Sequence, residues 1–222
     1  MSPAASLTWA NVMEDSLGAL VRAIRPHLVW RLGAASGEVS DLPMVWTSLM
    51  APLDGDPTAE WRAAFARATG RYYGTPPPPA MPAAFVLQWC LELPATLGAA
   101  AALSGPWVLD PRTAGLSFAV EPTAAYPTTL QLRSAGEVVD DPGRRLAAAR
   151  DAYLDAGREL AAGYHPGVKI GRHQRLAMVD DLWAMALARL RGRGPVERAS
   201  CCYLYAVPGT HECAGCPRLR RR

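Results

Sequence analysis

AAFVLQWCLELPATLGAAAALS, residues 83–104, carries a single charged side chain, Glu92, over about the length of a bilayer span. How this stretch is read decides the fold, because it is either a membrane anchor or the centre of a globular core. Gln88, Glu92 and Pro94 fall in its middle, and much of the remainder is alanine, whose transfer out of water is weakly favourable. The stretch therefore reads as a buried helix, or as two helices broken at Pro94, with no integral membrane segment. The first residues, MSPAASLTWANVMEDS, lack the basic region and uninterrupted apolar run of a secretory signal. A cytoplasmic location is the resulting expectation.

Outward from this helix the chain remains helix-dominated. Leu7, Val12, Leu17, Leu20, Val21, Ile24 and Leu28 recur at helical spacing between Ser6 and Arg31, with Pro26 placed to end the helix. After a loop, SGEVSDLP, a second helix is expected over residues 57–72, with Asp56 as its cap and Trp61, Phe65 and Ala68 on one face. The run GTPPPPAMP, residues 74–82, is a polyproline-like connector and the best internal boundary. Beyond the apolar helix, PWVLD, GLSFAVE and TTLQLRS read as short strands separated by turn residues. Asp141-Pro142 then opens a helix carrying Leu146, Ala149, Tyr153, Leu160 and Tyr164 on one side, and HPGVK interrupts it. A last helix, residues 171–191, places Leu176, Val179, Trp183 and Leu187 on one stripe. The expected fold class is α+β, a helix-dominated body with a small antiparallel sheet.

The 222 residues are half hydrophobic and about a fifth charged, ordinary for a globular protein, and suffice for one large domain or two small ones. The formal charge of +3 falls to −1 once Arg218, Arg220, Arg221 and Arg222 at the C-terminus are set aside. The body is therefore not a phosphate-tracking surface, and no nucleic-acid partner is expected. No glycine-rich dinucleotide fingerprint follows a strand, and there is no P-loop.

The chemistry is concentrated at the C-terminus. SCCYLYAVPGTHECAGCP, residues 200–217, holds four of the five cysteines within sixteen residues. Clustered thiols in a reducing compartment point to metal ligands or redox centres rather than structural disulfides. Soft thiolates suit zinc, copper(I) or an iron–sulfur cluster. A C-x-x-C pair, here Cys213 and Cys216, is shared by zinc knuckles and redox motifs. Cys201 and Cys202 narrow the choice, because successive side chains in extended backbone diverge and do not readily meet at one tetrahedral ion. A two-iron [2Fe–2S] rhomb, which takes four terminal thiolates over two metal atoms, relaxes that constraint. Pro208-Gly209 supplies a turn between the pairs, Gly215 lets the backbone approach the cluster, and Tyr203, Leu204, Tyr205 and Val207 offer an apolar underside, although ordinary core packing is the favoured reading of these.

The pattern C-C-x10-C-x2-C near a C-terminus, preceded by Arg198 and containing a tyrosine-rich stretch and Pro-Gly, resembles the C-terminal signature of the FhuF-type ferric siderophore reductases. The resemblance covers about the last 25 residues; elsewhere it extends to a similar length and a helical, partly β body. It implies that Cys201, Cys202, Cys213 and Cys216 hold a [2Fe–2S] cluster. It further implies an oxidoreductase that passes one electron to the Fe(III) of a siderophore and so releases Fe(II). With no flavin or nicotinamide site in view, a separate donor, a ferredoxin or a flavin-dependent reductase, would supply the electron. The expected division is an N-terminal helical part (1–73), a helical and β substrate-binding part (83–195) and a cluster-binding segment (196–222). The residues that contact substrate are not carried over by position.

Other candidates carry ordinary explanations beside functional ones. Cys90 reads as a buried inert thiol, His211 as an exposed loop residue beside a complete ligand set, and His165 and His27 as helix-end residues next to prolines. Lys169, Arg172, His173 and Arg175 form a basic patch that would suit an anionic chelate or an acidic redox donor, although a solvated helix end is the favoured reading. Two further readings stand beside the reductase: a zinc-stabilised binding or scaffold protein without redox activity, and a cluster-based sensor whose arginine tail meets nucleic acid.

Overall fold

The computed structural model describes residues 9–35, 42–50 and 55–219. Residues 6–8 of the first expected helix, most of the SGEVSDLP loop (36–41) and tail residues Arg220, Arg221 and Arg222 lie outside the described residues. In chain order the elements are α1 (Trp9–Ile24), β1 (Arg31–Ala34), β2 (Met44–Val45), α2 (Ala59–Tyr73), α3 (Ala80–Ser104) and β3 (Trp107–Val108). They continue with β4 (Ser117–Val120), β5 (Pro127–Leu132), β6 (Glu137–Val138), α4 (Pro142–Gly163) and α5 (Arg172–Leu190).

The 83–104 stretch lies within α3, a single helix of 25 residues with Pro94 inside it. α3 is the one helix among the described residues long and apolar enough to cross a membrane. Most of it is instead buried inside the protein, where α1, α2, α4 and α5 pack around it. A helix apolar on every face has no solvent side and takes this central place. Pro94 lacks an N–H, so the carbonyl of Cys90, four residues earlier, has no donor within the helix. The indole of Trp46 fills the vacancy, its Nε1–H donating to the Cys90 carbonyl at 2.6 Å from a fully buried position. Glu92, the only charge in the stretch, accepts from Arg189 of α5 at 2.9 Å, and the same guanidinium donates to Thr96 at 2.8 Å.

The helices close on one another through small residues and rings. A Cβ added to Gly157 of α4 would lie 2.9 Å from Val179 of α5 and 3.3 Å from Leu91 of α3, so three helices meet at this glycine. One helical turn earlier, the Tyr153 ring stacks on Trp183 at 5.5 Å and its hydroxyl donates to the Val179 carbonyl at 3.0 Å. On the opposite side of α3, Trp61 of α2 stacks on Trp89 at 5.8 Å and donates its indole N–H to the Ala125 carbonyl at 2.9 Å. Thr58, not Asp56, is the N-cap of α2. The Asp56 carboxylate accepts from the Thr58 amide and hydroxyl and pairs with Arg62 at 2.6 Å.

The α+β class holds, with a more mixed sheet than the sequence suggested. Its strand order is β1-β5-β4-β2, with β4 antiparallel to both neighbours and β1 parallel to β5. β3 and β6 form a separate antiparallel ladder. The core joins α1, the sheet and α2–α5 in one apolar cluster that ends in α5 at Ala186. Among the described residues of the C-terminal segment, Tyr203 alone packs against it. Buried Cys202, Val207 and Cys216 form no part of that cluster.

Candidate metal centre

After α5 the chain becomes irregular and folds back on the helix that precedes it. Asp181, buried on α5, makes the main attachment. Its carboxylate accepts from the amides of Ala199 (3.0 Å) and Ser200 (2.7 Å) and from the Ser200 hydroxyl (2.6 Å). Arg198, 4 % exposed, faces the same carboxylate at 4.0 Å through Nε, which has no hydrogen-bond partner, while its terminal nitrogen donates to Ser200 Oγ at 3.1 Å. Two turns earlier on α5, Gln174 donates to the Cys201 carbonyl at 2.6 Å and accepts from the Tyr203 hydroxyl at 2.9 Å. Tyr203 is held in the left-handed region (φ +60°), an uncommon conformation for a ring-bearing residue. This turn directs the Tyr203 amide at the Cys201 sulfur, 3.4 Å away, and the Leu204 amide at the Cys202 sulfur.

Both later turns follow from their residues. Thr210 N–H donates to the Val207 carbonyl at 3.1 Å across Pro208 and Gly209 (φ +81°), the residue pair a type II turn selects. The C-x-x-C unit closes with Cys216 N–H donating to the Cys213 carbonyl at 3.0 Å. Gly215 (φ +75°) sits where a Cβ would lie 2.1 Å from the Val196 carbonyl oxygen, and its own carbonyl accepts from Arg198 N–H at 2.9 Å. The close approach seen at this glycine is to the chain at Val196 and Arg198.

All five cysteines are free thiols. Cys202 and Cys216 are buried, whereas Cys201 and Cys213 are partly exposed. The Cys202 and Cys213 sulfurs lie 3.5 Å apart, close to the edge of about 3.8 Å between two thiolates on one tetrahedral metal at a metal–sulfur distance near 2.3 Å. Among the described residues no three His, Cys, Asp or Glu side chains gather round one point as the ligands of a single ion would. The preformed part of the site is thus this one pair.

The electrostatics favour thiolate at Cys202 and oppose it at Cys213 and Cys201. The contact from the Cys213 thiol, opposed by burial and helped by the Leu204 amide and the Arg198 guanidinium, brings Cys202 down to about 6. Cys213 is pushed up, first by the same contact and then by burial. Burial also raises Cys201. Arg198 acts in the anionic direction at all three. A buried cation acting on three of the four thiols, amides aimed at two sulfurs and a cysteine pair at metal-edge distance suit an anionic thiolate-ligated cluster.

The remaining sequence candidates fall elsewhere. His211, His165 and His27 are exposed. Cys90 is buried in α3, and burial drives its thiol far above the ordinary range. The expected basic patch is divided: Lys169, Arg172 and His173 are exposed, but Arg175 donates to the carbonyls of Ala161, Ile170 and Ala162 and so caps the end of α4. Gln174, Asp181 and Ser200, which hold the segment to the body, went unread in the sequence.

Compared with known proteins, residues 198–218 match the family model of the FhuF 2Fe-2S C-terminal domain, a range containing all four clustered cysteines. No curated protein and no solved structure matches the chain. The segment docked on α5 is therefore a FhuF-type C-terminal domain, and its cofactor is a [2Fe–2S] cluster.

Proposed function

We propose that this iron–sulfur protein is a ferric siderophore reductase of the cytoplasm, and that Cys201, Cys202, Cys213 and Cys216 each supply one thiolate to the cluster. The observation that carries the proposal is the FhuF-type segment with two of its four free thiols, Cys201 and Cys213, partly exposed. One-electron transfer to a bulky chelate requires proximity rather than acid–base groups, and a cluster edge near solvent provides it. A [2Fe–2S] cluster supplies electrons one at a time. Arg198 offsets the negative charge of the thiolates, Asp181 and Gln174 hold the loop that bears Cys201 and Cys202, and the Tyr203 and Leu204 amides hydrogen-bond their sulfurs. The substrate Fe(III) gains one electron and becomes Fe(II). Hard oxygen donors hold Fe(II) far less tightly, so the metal leaves while the freed oxygens take protons from water. A separate one-electron donor, a ferredoxin or a flavin-dependent reductase, restores the reduced state.

The test is an absorption spectrum of protein purified without oxygen, before and after dithionite, with iron and acid-labile sulfide assayed on the same sample. Mixing with ferric siderophores in the presence of an Fe(II) trap follows. About two irons and two sulfides per chain are expected, with bleaching on reduction and one Fe(II) trapped per reduced chain. A colourless protein holding one zinc, or a reduced cluster that no ferric siderophore reoxidises, overturns the proposal.

A further inference from the structure

Among the described residues Arg198 is the only buried cation, and it precedes the first clustered cysteine by three positions. A guanidinium is costly to bury unless its donors are matched, and this one is matched incompletely. One terminal nitrogen donates to Ser200 Oγ at 3.1 Å, whereas the buried Nε has no hydrogen-bond partner and stands 4.0 Å from Asp181 Oδ2. That oxygen is already occupied. It accepts from the Ala199 amide at 3.1 Å, the Ser200 amide at 2.7 Å and the Ser200 hydroxyl at 2.6 Å. The Arg198 side chain also runs along the C-x-x-C turn. Its Cγ lies 3.7 Å from the point that a Gly215 Cβ would occupy, and its backbone N–H donates to the Gly215 carbonyl at 2.9 Å. Its charge reaches Cys201, Cys202 and Cys213, acting in the anionic direction at each. A buried, charged donor without an acceptor is strongly unfavourable, so Nε calls for an acceptor beyond the polypeptide.

We infer that Arg198 Nε–H donates to a sulfur of the thiolate-ligated cluster, and that this bond, with the buried charge behind it, raises the reduction potential. The inference rests on the four-thiolate assignment proposed above and not on which chelate is reduced. With four thiolates a [2Fe–2S] core is a dianion when oxidised and a trianion when reduced. A fixed cation and a donated hydrogen bond both stabilise the more negative form, and net charge and hydrogen bonds to sulfur are among the means by which proteins set such potentials. Arginine suits the position because its charge does not titrate. Reduction adds one electron, and no proton leaves the guanidinium. The Tyr203 and Leu204 amides are neutral donors aimed at the Cys201 and Cys202 sulfurs, and Arg198 adds a donor that carries a full charge. The bond eases reduction of the cluster by its donor and lowers the driving force toward the substrate by the same amount.

The experiment uses the holoprotein made with arginine that carries heavy nitrogen in its side chain. After reduction with dithionite, pulsed electron paramagnetic resonance reads the magnetic nuclei close to the unpaired electron of the cluster. A coupling from arginine side-chain nitrogen is expected in the wild type and is expected to vanish in Arg198→Lys. Redox titration of the same proteins gives the midpoint potential. Arg198→Gln removes the charge and should move the midpoint to more negative values by about 59 mV or more, a tenfold change in the one-electron equilibrium. Arg198→Lys keeps the charge and should move it less. A merely structural Arg198 would change how much cluster is retained and not its midpoint. Arg198→Gln also loosens the segment, so its titration is read on the iron-loaded fraction; if none loads, the wild-type coupling and its loss in Arg198→Lys decide. A loaded, reduced wild type without an arginine coupling, or a loaded Arg198→Gln with the wild-type midpoint, overturns the inference and leaves the cluster and the reductase reading standing. A protein that assembles no [2Fe–2S] cluster overturns the four-thiolate assignment and this inference with it.

Discussion

Asp181→Ala is expected to release the cysteine segment from α5 without unfolding the body. In the native protein the carboxylate satisfies two amides and a hydroxyl and faces the buried guanidinium of Arg198 at 4.0 Å. Removing one partner of a buried ion pair costs about 3–5 kcal/mol, and stranding a buried donor such as Ser200 N–H costs about 1–3 kcal/mol. The two penalties overlap, because lifting the segment into water relieves both. The long Arg198–Asp181 distance favours the low end, so about 3 kcal/mol is the working figure, or about two decades in the docking equilibrium. The Arg198–Ala199 bond reports that equilibrium: Arg198 is buried when the segment is docked and open to trypsin when it lifts. Cleavage that follows the open population should accelerate by about a hundredfold. Iron and sulfide retained per chain should fall in parallel, while the far-ultraviolet circular dichroism of α1–α5 persists. Asp181→Asn keeps one acceptor for Ser200 but no charge opposite Arg198, and should fall between. Wild-type cleavage after Arg198 together with full cluster content in Asp181→Ala would refute the account.

Trp46→Phe strands the Cys90 carbonyl and should cost about 1–3 kcal/mol of stability in chemical denaturation. Pro94→Ala restores an amide donor to that carbonyl, so the double variant should recover part of the loss, and strictly additive effects would show that the indole does not serve this purpose. Burial raises the Asp56 carboxyl, but the Thr58 hydroxyl and amide and the Arg62 guanidinium outweigh it, leaving it below its ordinary value of 3.8. The unfolded chain therefore takes the proton first as pH falls. The stabilisation is complete above about pH 4 and lost as pH drops through the depressed folded value. The melting-temperature deficit of Asp56→Asn should accordingly be present at pH 7 and shrink below pH 4, and a deficit independent of pH would count against the ion pair.

The helices were legible because their signal is local. α3 declared itself by being apolar all round, α4 by its Asp141 cap, which does accept from the Arg144 amide at 2.7 Å, and α5 by its stripe of Leu176, Val179, Trp183 and Leu187. What the sequence hid was set by partners far along the chain. Pro94 suggested a possible break, and the donor that makes one continuous helix possible comes from Trp46, 44 residues away. β1 is four residues long and contains Gly33, too short for alternation to show, and it becomes a strand by pairing with β5 nearly a hundred residues later.

The candidate site divides along the same line. Its thiols were legible from spacing alone, but the residues that hold them in place were not. Gln174 and Asp181 are seven residues apart, so they share one face of α5, and that face lies nearly opposite the apolar stripe. Helical periodicity assigns such a face to solvent. It is buried because the chain returns over it with Ser200 and Cys201, and the polar side chains are there to meet backbone amides and a carbonyl rather than water. Among the described residues the apolar core, meanwhile, is complete by Ala186, and the segment adds only Tyr203 to its edge. The cysteine segment is thus a satellite fixed by polar bonds to a body already closed. The body's fold therefore does not depend on the cofactor in the way a zinc finger's does, whereas the alignment of the cysteines depends on two polar side chains of α5.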